Sequence, residues 1–202
     1  MGACSPAPVV TGAMHETIMA TVIRPTIAGL AAEGIRYRGF LYAGLMIGED
    51  DVPRVLEFNC RFGDPETQPV LMRLQGDFAD LCARGAAGAL AGAVCEWDAR
   101  AALAVVMAAG GYPDAYEKGR AITGLDAADA IEGVKVFHAG TRLDGDTVVT
   151  SGGRVLAVCA LGETVAAAQA AAYRGVHEIQ WDGAFCRGDI GHRAIARERA
   201  GR

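Results

Sequence analysis

The sequence lacks any long apolar segment that is free of charge. Its hydrophobic fraction is 51%, yet no run approaches the roughly 20 residues that a membrane helix needs. It also has no block of lysine or arginine, and its net charge is -5. A nucleic-acid interface normally shows a basic patch. We therefore expect a soluble protein whose partners are small molecules or protein, with neither a membrane nor a nucleic acid among them.

The six cysteines include no C-x-x-C pair, and the four histidines show no H-x-x-x-H or similar metal-binding spacing. Scattered cysteines of this kind favour reduced thiols in a cytoplasm, and each histidine is better explained as structural or exposed. Cys60 lies within a cluster of polar residues, but no histidine adjoins it in sequence. The role of a small buried hydrophobic residue is therefore favoured over that of a nucleophile.

The pattern of apolar residues predicts an α+β fold in 202 residues. A small, polar stretch near residues 92–100 suggests two domains, over 1–92 and 93–202. Small residues and two prolines predict an extended loop over residues 1–10. The predicted helices cover 11–33, with Thr11 as a cap, an interruption at Pro25 and a stop at Gly34, then 66–74, 77–90 with Asp77 as a cap, and 163–174. The predicted strands cover 40–47, 55–59, 101–108, 134–138, 147–150 and 154–160, and the first two form a hairpin.

The stretch 55–69 joins a short apolar strand to a dense group of charged and amide side chains. Alternation along the strand predicts that Val55, Glu57 and Asn59 share one face, extended by Arg61. Leu56 and Phe58 then point the other way, towards a core. Carboxylate and amide oxygens suit Mg2+ or Mn2+, and Mg2+ often takes only one or two protein ligands besides substrate phosphates. The stretch therefore predicts a metal and phosphate site.

The same residues also allow a plain structural interpretation. Glu57 and Asn59 could line a solvated strand face, with Arg61 paired to Asp64 or Glu66. The pattern alone leaves these two interpretations about equally favoured.

Other candidate sites lie in the second half of the chain. The paired glycines at 110 and 111 could cradle a phosphate, but no helix start follows them, so a turn is favoured. The basic residues Lys118, Arg120 and Lys135 fall near turns where a cation could meet a phosphate. Solvated surface charge is the favoured interpretation for all three, and Lys118 is kept as a candidate substrate-binding residue.

Two segments carry a specific resemblance to a known family. They are residues 39–46 (GFLYAGLM) and 57–68 (EFNCRFGDPETQ), and they resemble phosphoribosylamine-glycine ligase of the ATP-grasp superfamily. The likeness continues through shorter segments over almost the whole chain: 1–8 (MGACSPAP), 106–113 (VMAAGGYP), 135–141 (KVFHAGT), 152–156 (GGRVL) and 189–191 (DIG). The string in 57–68 argues against another ATP-grasp ligase such as a carboxylase.

The resemblance implies a ligase of purine biosynthesis. Such an enzyme joins glycine to 5-phosphoribosylamine with ATP as co-substrate, giving glycinamide ribonucleotide, ADP and phosphate. By the same resemblance, Glu57 and Asn59 are ligands of Mg2+ or Mn2+. Arg61 and Asp64 are catalytic and substrate-binding residues, and Ser5 and Lys118 are further substrate-binding residues. The implied fold is the second half of an ATP-grasp domain, an antiparallel sheet with flanking helices, followed by a small antiparallel α+β domain.

The family's proteins are about twice as long as this chain. The glycine-rich loop, the phosphate-binding lysine and the adenine pocket would precede Met1, so we expect a C-terminal fragment that needs an N-terminal half as its partner. Without that half, the hairpin could expose an apolar face or a sheet edge. A different class of function stays open, in which the chain is a catalytically inactive binding or assembly module derived from the ligase.

Overall fold

The computed structural model of the protein describes residues 1–201. All strand pairs in it are antiparallel, and helices and strands are mixed along the chain, which confirms the predicted α+β class. The strands are β1 (Gly2–Ser5), β2 (Tyr42–Ile47), β3 (Pro53–Asn59), β4 (Leu74–Gln75), β5 (Glu96–Trp97), β6 (Ala101–Ala108), β7 (Val134–His138), β8 (Thr141–Asp144), β9 (Thr147–Thr150) and β10 (Arg154–Gly162). The α-helices are α1 (Gly12–Ile18), α2 (Arg24–Ala32), α3 (Thr67–Arg73), α4 (Phe78–Ala87), α5 (Leu125–Asp129), α6 (Val165–Glu178) and α7 (His192–Arg199).

The chain folds into two compact units that interleave along the sequence. The first, which we call the sheet unit, contains residues 1–6, 65–73 and 98–201. The second, which we call the hairpin unit, contains residues 7–64 and 74–97. Each unit combines segments from both sides of residue 92, so these compact units are not the predicted domains 1–92 and 93–202. That division stays a prediction.

The sheet unit is built on a four-stranded antiparallel sheet in the order β1-β6-β10-β7. Helix α6 packs on β6 and β10, and α3 also contacts both strands. Leu103 and Val105 of β6 join the core cluster that includes α6 residues, whereas Ala104 joins a smaller cluster with Met72 of α3. The two helices thus cover opposite faces of the sheet. This explains why all eight residues of β6 are buried, as a continuous apolar run predicts.

The hairpin unit begins with the predicted interrupted helix. The Thr11 side chain accepts a hydrogen bond from the Met14 backbone amide at 3.2 Å and caps α1. A π-helical segment (Met19–Ile23) separates α1 from α2, and Pro25 lies in the first turn of α2, where a proline is tolerated. Gly34 has a φ of +79° just after the helix end, which glycine adopts without steric cost. The predicted interruption and stop are confirmed.

The remaining predicted elements are present. Strands β6, β7 and β9 have the predicted ends, and the other elements have shifted ends. Strands β2 and β3 pair as the predicted hairpin. Asp77 caps α4 by accepting the Asp80 amide at 2.9 Å. Helix α6 begins after Thr164 and extends to Glu178, four residues beyond the predicted end at Arg174.

The sequence patterns missed several short elements. Residues 2–5 were predicted as loop, yet they form edge strand β1, which pairs with β6 from Gly2 opposite Val105 to Ser5 opposite Ala102. The pairing supplies partners for the β1 backbone that no local pattern indicates. Helices α5 and α7 and strands β4, β5 and β8 also lack a predicted counterpart. Within residues 1–201, no helix has both the length and the apolar character needed to cross a membrane.

Candidate functional site

Glu57 and Asn59 lie next to each other on β3, and their side chains converge. The Asn59 Nδ2 donates a hydrogen bond to Glu57 Oε1 at 2.9 Å. The backbones of two residues at positions i and i+2 of a strand are about 6.6 Å apart. The side chains of Glu57 and Asn59 therefore lean towards each other to form this hydrogen bond. Glu57 is exposed and Asn59 is half-buried. The pair therefore presents a carboxylate and an amide to one small volume that solvent can reach.

Strand β2 leaves room above this pair. Tyr42 lies opposite Asn59, and Gly44 lies opposite Glu57, so these four residues share a face of the hairpin. A Cβ atom added to Gly44 would lie 3.2 Å from Glu57 Cγ. A larger side chain at position 44 would crowd the carboxylate. Glycine thus keeps the approach to Glu57 open.

A β-bulge adjoins the pair. The register pairs Gly44 with Glu57 but Leu45 with Val55, which leaves Leu56 as the extra residue of β3. Since neighbouring residues of β2 face opposite sides, Val55 lies on the face opposite to Glu57. The prediction that Val55 shares the face of Glu57 and Asn59 is therefore wrong, because the bulge interrupts the alternation.

The apolar side chains of the hairpin do not enter a core. Leu56 is 64% exposed, Phe58 41% and Met46 55%. In the described part of the chain, β2 and β3 form a two-stranded sheet without a third strand. The expectation that Leu56 and Phe58 point into a core is wrong for this chain. The hairpin instead has the exposed apolar surface and open edges that usually mark an interaction site.

The loop after β3 is anchored by aromatic packing within the hairpin unit. The Phe62 ring centroid lies 3.9 Å from that of Phe40 and 6.0 Å from that of Phe78. Arg61 is exposed, and its Nη1 donates to the Phe62 carbonyl oxygen at 2.8 Å. The rings fix the backbone at Phe62, and the hydrogen bond then restrains the guanidinium beside the strand end.

Asp64 and Cys60 are both exposed. Asp64 lies between buried Gly63 and buried Pro65. The exposed Cys60 thiol differs from the small buried hydrophobic residue that the sequence favoured. The structure records Glu57 and Asn59 in direct contact, while Arg61 and Asp64 follow them in the same loop of the hairpin unit.

Ser5 belongs to the sheet unit, at the end of edge strand β1, and it is half-buried. Its hydroxyl oxygen accepts a hydrogen bond from Arg73 Nη1 at 3.0 Å. The neighbouring Asp98 carboxylate accepts hydrogen bonds from Arg100, the shortest at 2.6 Å. The Arg100 hydrogen bonds are the main cause that lowers the pKa of Asp98 to about 2, and the charge of Arg73 lowers it further.

Lys118 also belongs to the sheet unit and is exposed. Its Nζ lies 5.8 Å from the centroid of the Tyr116 ring, within the range of a cation–π contact. The other two basic candidates are paired on the surface. Arg120 contacts Glu117 and Asp182, and Lys135 lies 2.6 Å from Asp129.

The paired glycines form a turn, as favoured from the sequence, with the Tyr112 amide donating to the Ala109 carbonyl oxygen at 3.1 Å.

Among residues 1–201, no group of three or more His, Cys, Asp and Glu side chains could hold a metal ion. A metal site at Glu57 and Asn59 would therefore resemble those Mg2+ sites that combine one or two protein oxygens with substrate phosphates.

Sequence reasoning missed three supporting features of the candidate site: the space at Gly44, the Phe40–Phe62–Phe78 cluster and the contact between Arg73 and Ser5. Each joins residues that are distant in sequence, so no local pattern reveals it. The glycine within the apolar strand was the one available signal, because glycine in a strand often marks a bulge or a close approach.

The chain matches two models of one family. Residues 1–67 match the ATP-grasp (A) domain of phosphoribosylglycinamide synthetase, and residues 102–193 match the C domain of the same protein. Together the matches cover most of the chain.

Relatives of known sequence or structure agree. The phosphoribosylamine–glycine ligase of Allochromatium vinosum is 64% identical over 200 residues, which cover 99% of this chain and 46% of that protein. The crystal structure of the Thermotoga maritima enzyme of the same name has a TM-score of 0.78 and 35% identity, and the match covers 94% of this chain and 46% of that chain. The chain thus spans slightly less than half the length of these relatives.

A more distant structure shows only the fold. The biotin carboxylase domain of the Hydrogenobacter thermophilus 2-oxoglutarate carboxylase, determined with MgADP and bicarbonate, has a TM-score of 0.60 at 14% identity. The family matches and the similarity to the ligases lead to one conclusion. The chain belongs to the family of phosphoribosylamine–glycine ligases, and it corresponds to their C-terminal portion.

Proposed function

We propose that the chain is the part of a phosphoribosylamine–glycine ligase that presents a metal and phosphate-binding face. The converging Glu57 carboxylate and Asn59 amide on β3 carry this proposal. Family membership gives the reaction class. The complete enzyme would join glycine to 5-phosphoribosylamine, with ATP converted to ADP and phosphate.

The Glu57–Asn59 pair fits a divalent cation of the Mg2+ or Mn2+ type. Both side chains offer hard oxygen atoms, and their 2.9 Å contact shows that they reach the same volume. A half-turn of the Asn59 amide exchanges its nitrogen and oxygen, so that two oxygen atoms face one point. Gly44 leaves that point open from the opposite strand. A bound cation would neutralise negative charge that develops on the transferred phosphoryl group.

The neighbouring residues would hold the anionic substrates. The Arg61 guanidinium follows the metal-binding pair and has one recorded hydrogen bond, to the Phe62 carbonyl, which leaves N–H groups for a phosphate. In the same loop, the Asp64 carboxylate would accept a hydrogen bond from a donor group of a substrate and so orient that substrate. In the sheet unit, the Ser5 hydroxyl and the exposed Lys118 ammonium would contact carboxylate or phosphate oxygens.

The complete enzyme would carry out the reaction in two steps. A glycine carboxylate oxygen attacks the γ-phosphorus of ATP, which breaks the bond to the β-γ bridging oxygen and releases ADP. The amine of phosphoribosylamine then attacks the acyl carbon, the carbon–nitrogen bond forms, and phosphate leaves with the former carboxylate oxygen. The amine loses one proton to solvent. Positioning and charge neutralisation are the main protein contributions to such a transfer.

The exposed apolar side chains of the hairpin support a second part of the proposal, that an N-terminal half of the ligase packs on the hairpin. Leu56 and Phe58 are each more than 40% exposed, and relatives contain about as much again of chain beyond the matched part. Covering these side chains and pairing an open edge of the hairpin would complete a larger sheet. We propose that this half supplies further contacts to ATP.

A chimeric ligase tests the proposed function. In this chimera, the N-terminal half of the Allochromatium vinosum relative precedes residues 1–202 of this chain. With ATP, Mg2+, glycine and phosphoribosylamine, we expect release of phosphate that depends on both glycine and the amine. The double variant Glu57→Ala/Asn59→Ala should abolish it. Phosphate release that survives the double variant would overturn the metal assignment, and an inactive but folded chimera would favour a non-catalytic module.

A further inference from the structure

Arg73 is the last residue of α3, and its guanidinium binds two other segments of the sheet unit. The Nε donates to the carbonyl oxygens of Asp98 at 3.1 Å and Arg100 at 2.9 Å. The Nη2 donates to the Asp98 carbonyl at 3.0 Å, and the Nη1 donates to the Ser5 hydroxyl at 3.0 Å. Every recorded acceptor is neutral. Within residues 1–201, the cation is therefore held by a fixed fork of hydrogen bonds, and no carboxylate contacts it directly.

The hydrogen bond from Arg73 limits the hydrogen bonds that the Ser5 hydroxyl can make. A serine hydroxyl has one hydrogen to donate and two lone pairs. Because its oxygen already accepts from a guanidinium, its own hydrogen must point to another acceptor, and the nearby positive charge makes that hydrogen a stronger donor. Ser5 is half-buried on edge strand β1, so a small molecule can reach it. The hydroxyl is thus prepared to donate to an anion.

We propose that Arg73 is a positioning residue, which orients the Ser5 hydroxyl to donate a hydrogen bond to an anionic group of a substrate. This proposal rests on the proposed function, since it requires that Ser5 contacts a substrate. The anion is a carboxylate or a phosphate oxygen. Glycine offers the first, and phosphoribosylamine and ATP offer the second.

A purely structural role for Arg73 would have a different consequence. The same side chain connects α3 with the backbone near Asp98 and Arg100, and the Asp98 amide donates to the Arg73 carbonyl at 2.7 Å. If Arg73 served only to connect these segments, its replacement would lower the melting temperature. The substrate affinities of the folded enzyme would then stay unchanged.

A double-mutant cycle in the chimeric ligase separates these roles. Arg73→Lys keeps the charge but loses the fork, and Ser5→Ala removes the hydroxyl. We expect each variant to raise the KM of one anionic substrate about tenfold, with kcat changed less than twofold. The double variant should raise the same KM no further than either single variant. Separate titrations of glycine, phosphoribosylamine and ATP identify the substrate whose anion is bound.

Two further variants serve as controls. Ser5→Thr keeps a hydroxyl and should retain a KM within about threefold of the original. Arg84→Lys removes comparable hydrogen bonds, because Arg84 donates to the carbonyls of Ala89 and Ala91, and it should leave every KM unchanged. Melting temperatures of all variants show which of them are folded.

Three results would overturn the proposal. KM increases that multiply to about a hundredfold in the double variant would show that Arg73 acts independently of Ser5. Unchanged KM values in Ser5→Ala would show that the hydroxyl binds no substrate, and this holds even if Arg73→Lys fails to fold. A folded original chimera without ligase activity would overturn the proposed function itself, and the Arg73 proposal with it.

Discussion

Replacing the exposed apolar residues of the hairpin should weaken association with an N-terminal half without destabilising the chain. We consider the double substitution Leu56→Ser/Phe58→Ser. Full burial of a leucine or phenylalanine side chain contributes about 1.5–3 kcal/mol. Leu56 is 64% exposed and Phe58 41%, so covering them completely adds roughly 2–3 kcal/mol in total. Since 1.4 kcal/mol is tenfold in Kd, the double variant should bind roughly 30- to 150-fold more weakly.

The assay is isothermal titration of this chain with the purified N-terminal half of the Allochromatium vinosum ligase. A matched control is Leu143→Ser, because Leu143 is 70% exposed on β8 in the sheet unit. We expect this control to bind like the original chain. Urea unfolding of the isolated chain should change by less than about 0.5 kcal/mol for each single substitution, as for other exposed sites. Equal affinities for the original chain and the double variant would refute the assignment of this face.

Three further predictions concern stability and are measured by urea unfolding. Leu103→Ala should lower the free energy of unfolding by about 2–5 kcal/mol, because Leu103 is fully buried in β6 and the change leaves a cavity. Glu198→Gln should cost about 0.3–1 kcal/mol, because its carboxylate accepts the first amide of α6 at 3.0 Å and acts on the helix dipole. The hydrogen bonds from Arg100 hold the pKa of Asp98 at about 2, below its ordinary value of 3.8, so this pair stabilises the fold above pH 4 and loses its effect as the pH falls towards 2. Asp98→Asn should therefore reduce the loss of stability over that range.

Each of these predictions has a control and a contradicting result. The control for Leu103 is Val94→Ala, because the Val94 side chain is 81% exposed and its truncation should change the free energy of unfolding by less than about 0.5 kcal/mol. If Leu103→Ala changed the free energy of unfolding as little as Val94→Ala, the buried position of Leu103 would be contradicted. Glu33→Gln, at the exposed C-terminal end of α2, is the control for Glu198, and a Glu198→Gln variant as stable as the original chain would contradict the capping role. Asp146→Asn, in the turn between β8 and β9, is the control for Asp98. Identical pH profiles for the original chain and Asp98→Asn would rule out the Arg100 hydrogen bonds as the cause.

The sequence predicted best those elements whose signal is local. The continuous apolar run of β6, the proline in α2 and the capping residues Thr11 and Asp77 each act within a few residues, and the structure confirms all four. Strand β1 was missed because its partner β6 lies about a hundred residues away. Pairing over such a distance leaves no pattern in the strand itself.

The candidate site shows the same limit. Alternation along a strand was enough to place Glu57 and Asn59 on one face, and the structure shows a hydrogen bond between their side chains. The alternation gave the wrong face for Val55, because the bulge at Leu56 depends on how β2 pairs with β3. The exposure of Leu56 and Phe58 could not be read from their hydrophobicity, which indicates that a residue favours burial but not which surface covers it. The roles of Ser5, Arg61, Asp64 and Lys118 stay predictions.

Binding of Mn2+ to the chimeric ligase in the presence of ADP tests the central claim most directly. Electron paramagnetic resonance measures the free Mn2+ during a titration. The account predicts that Glu57→Gln and Asn59→Leu each weaken Mn2+ binding by more than about tenfold, since even side chains that only support metal ligands have effects of that size. Glu49→Gln removes the same charge from the exposed turn of the hairpin and should bind Mn2+ like the original chimera. Unchanged Mn2+ affinity in both Glu57→Gln and Asn59→Leu would contradict the account.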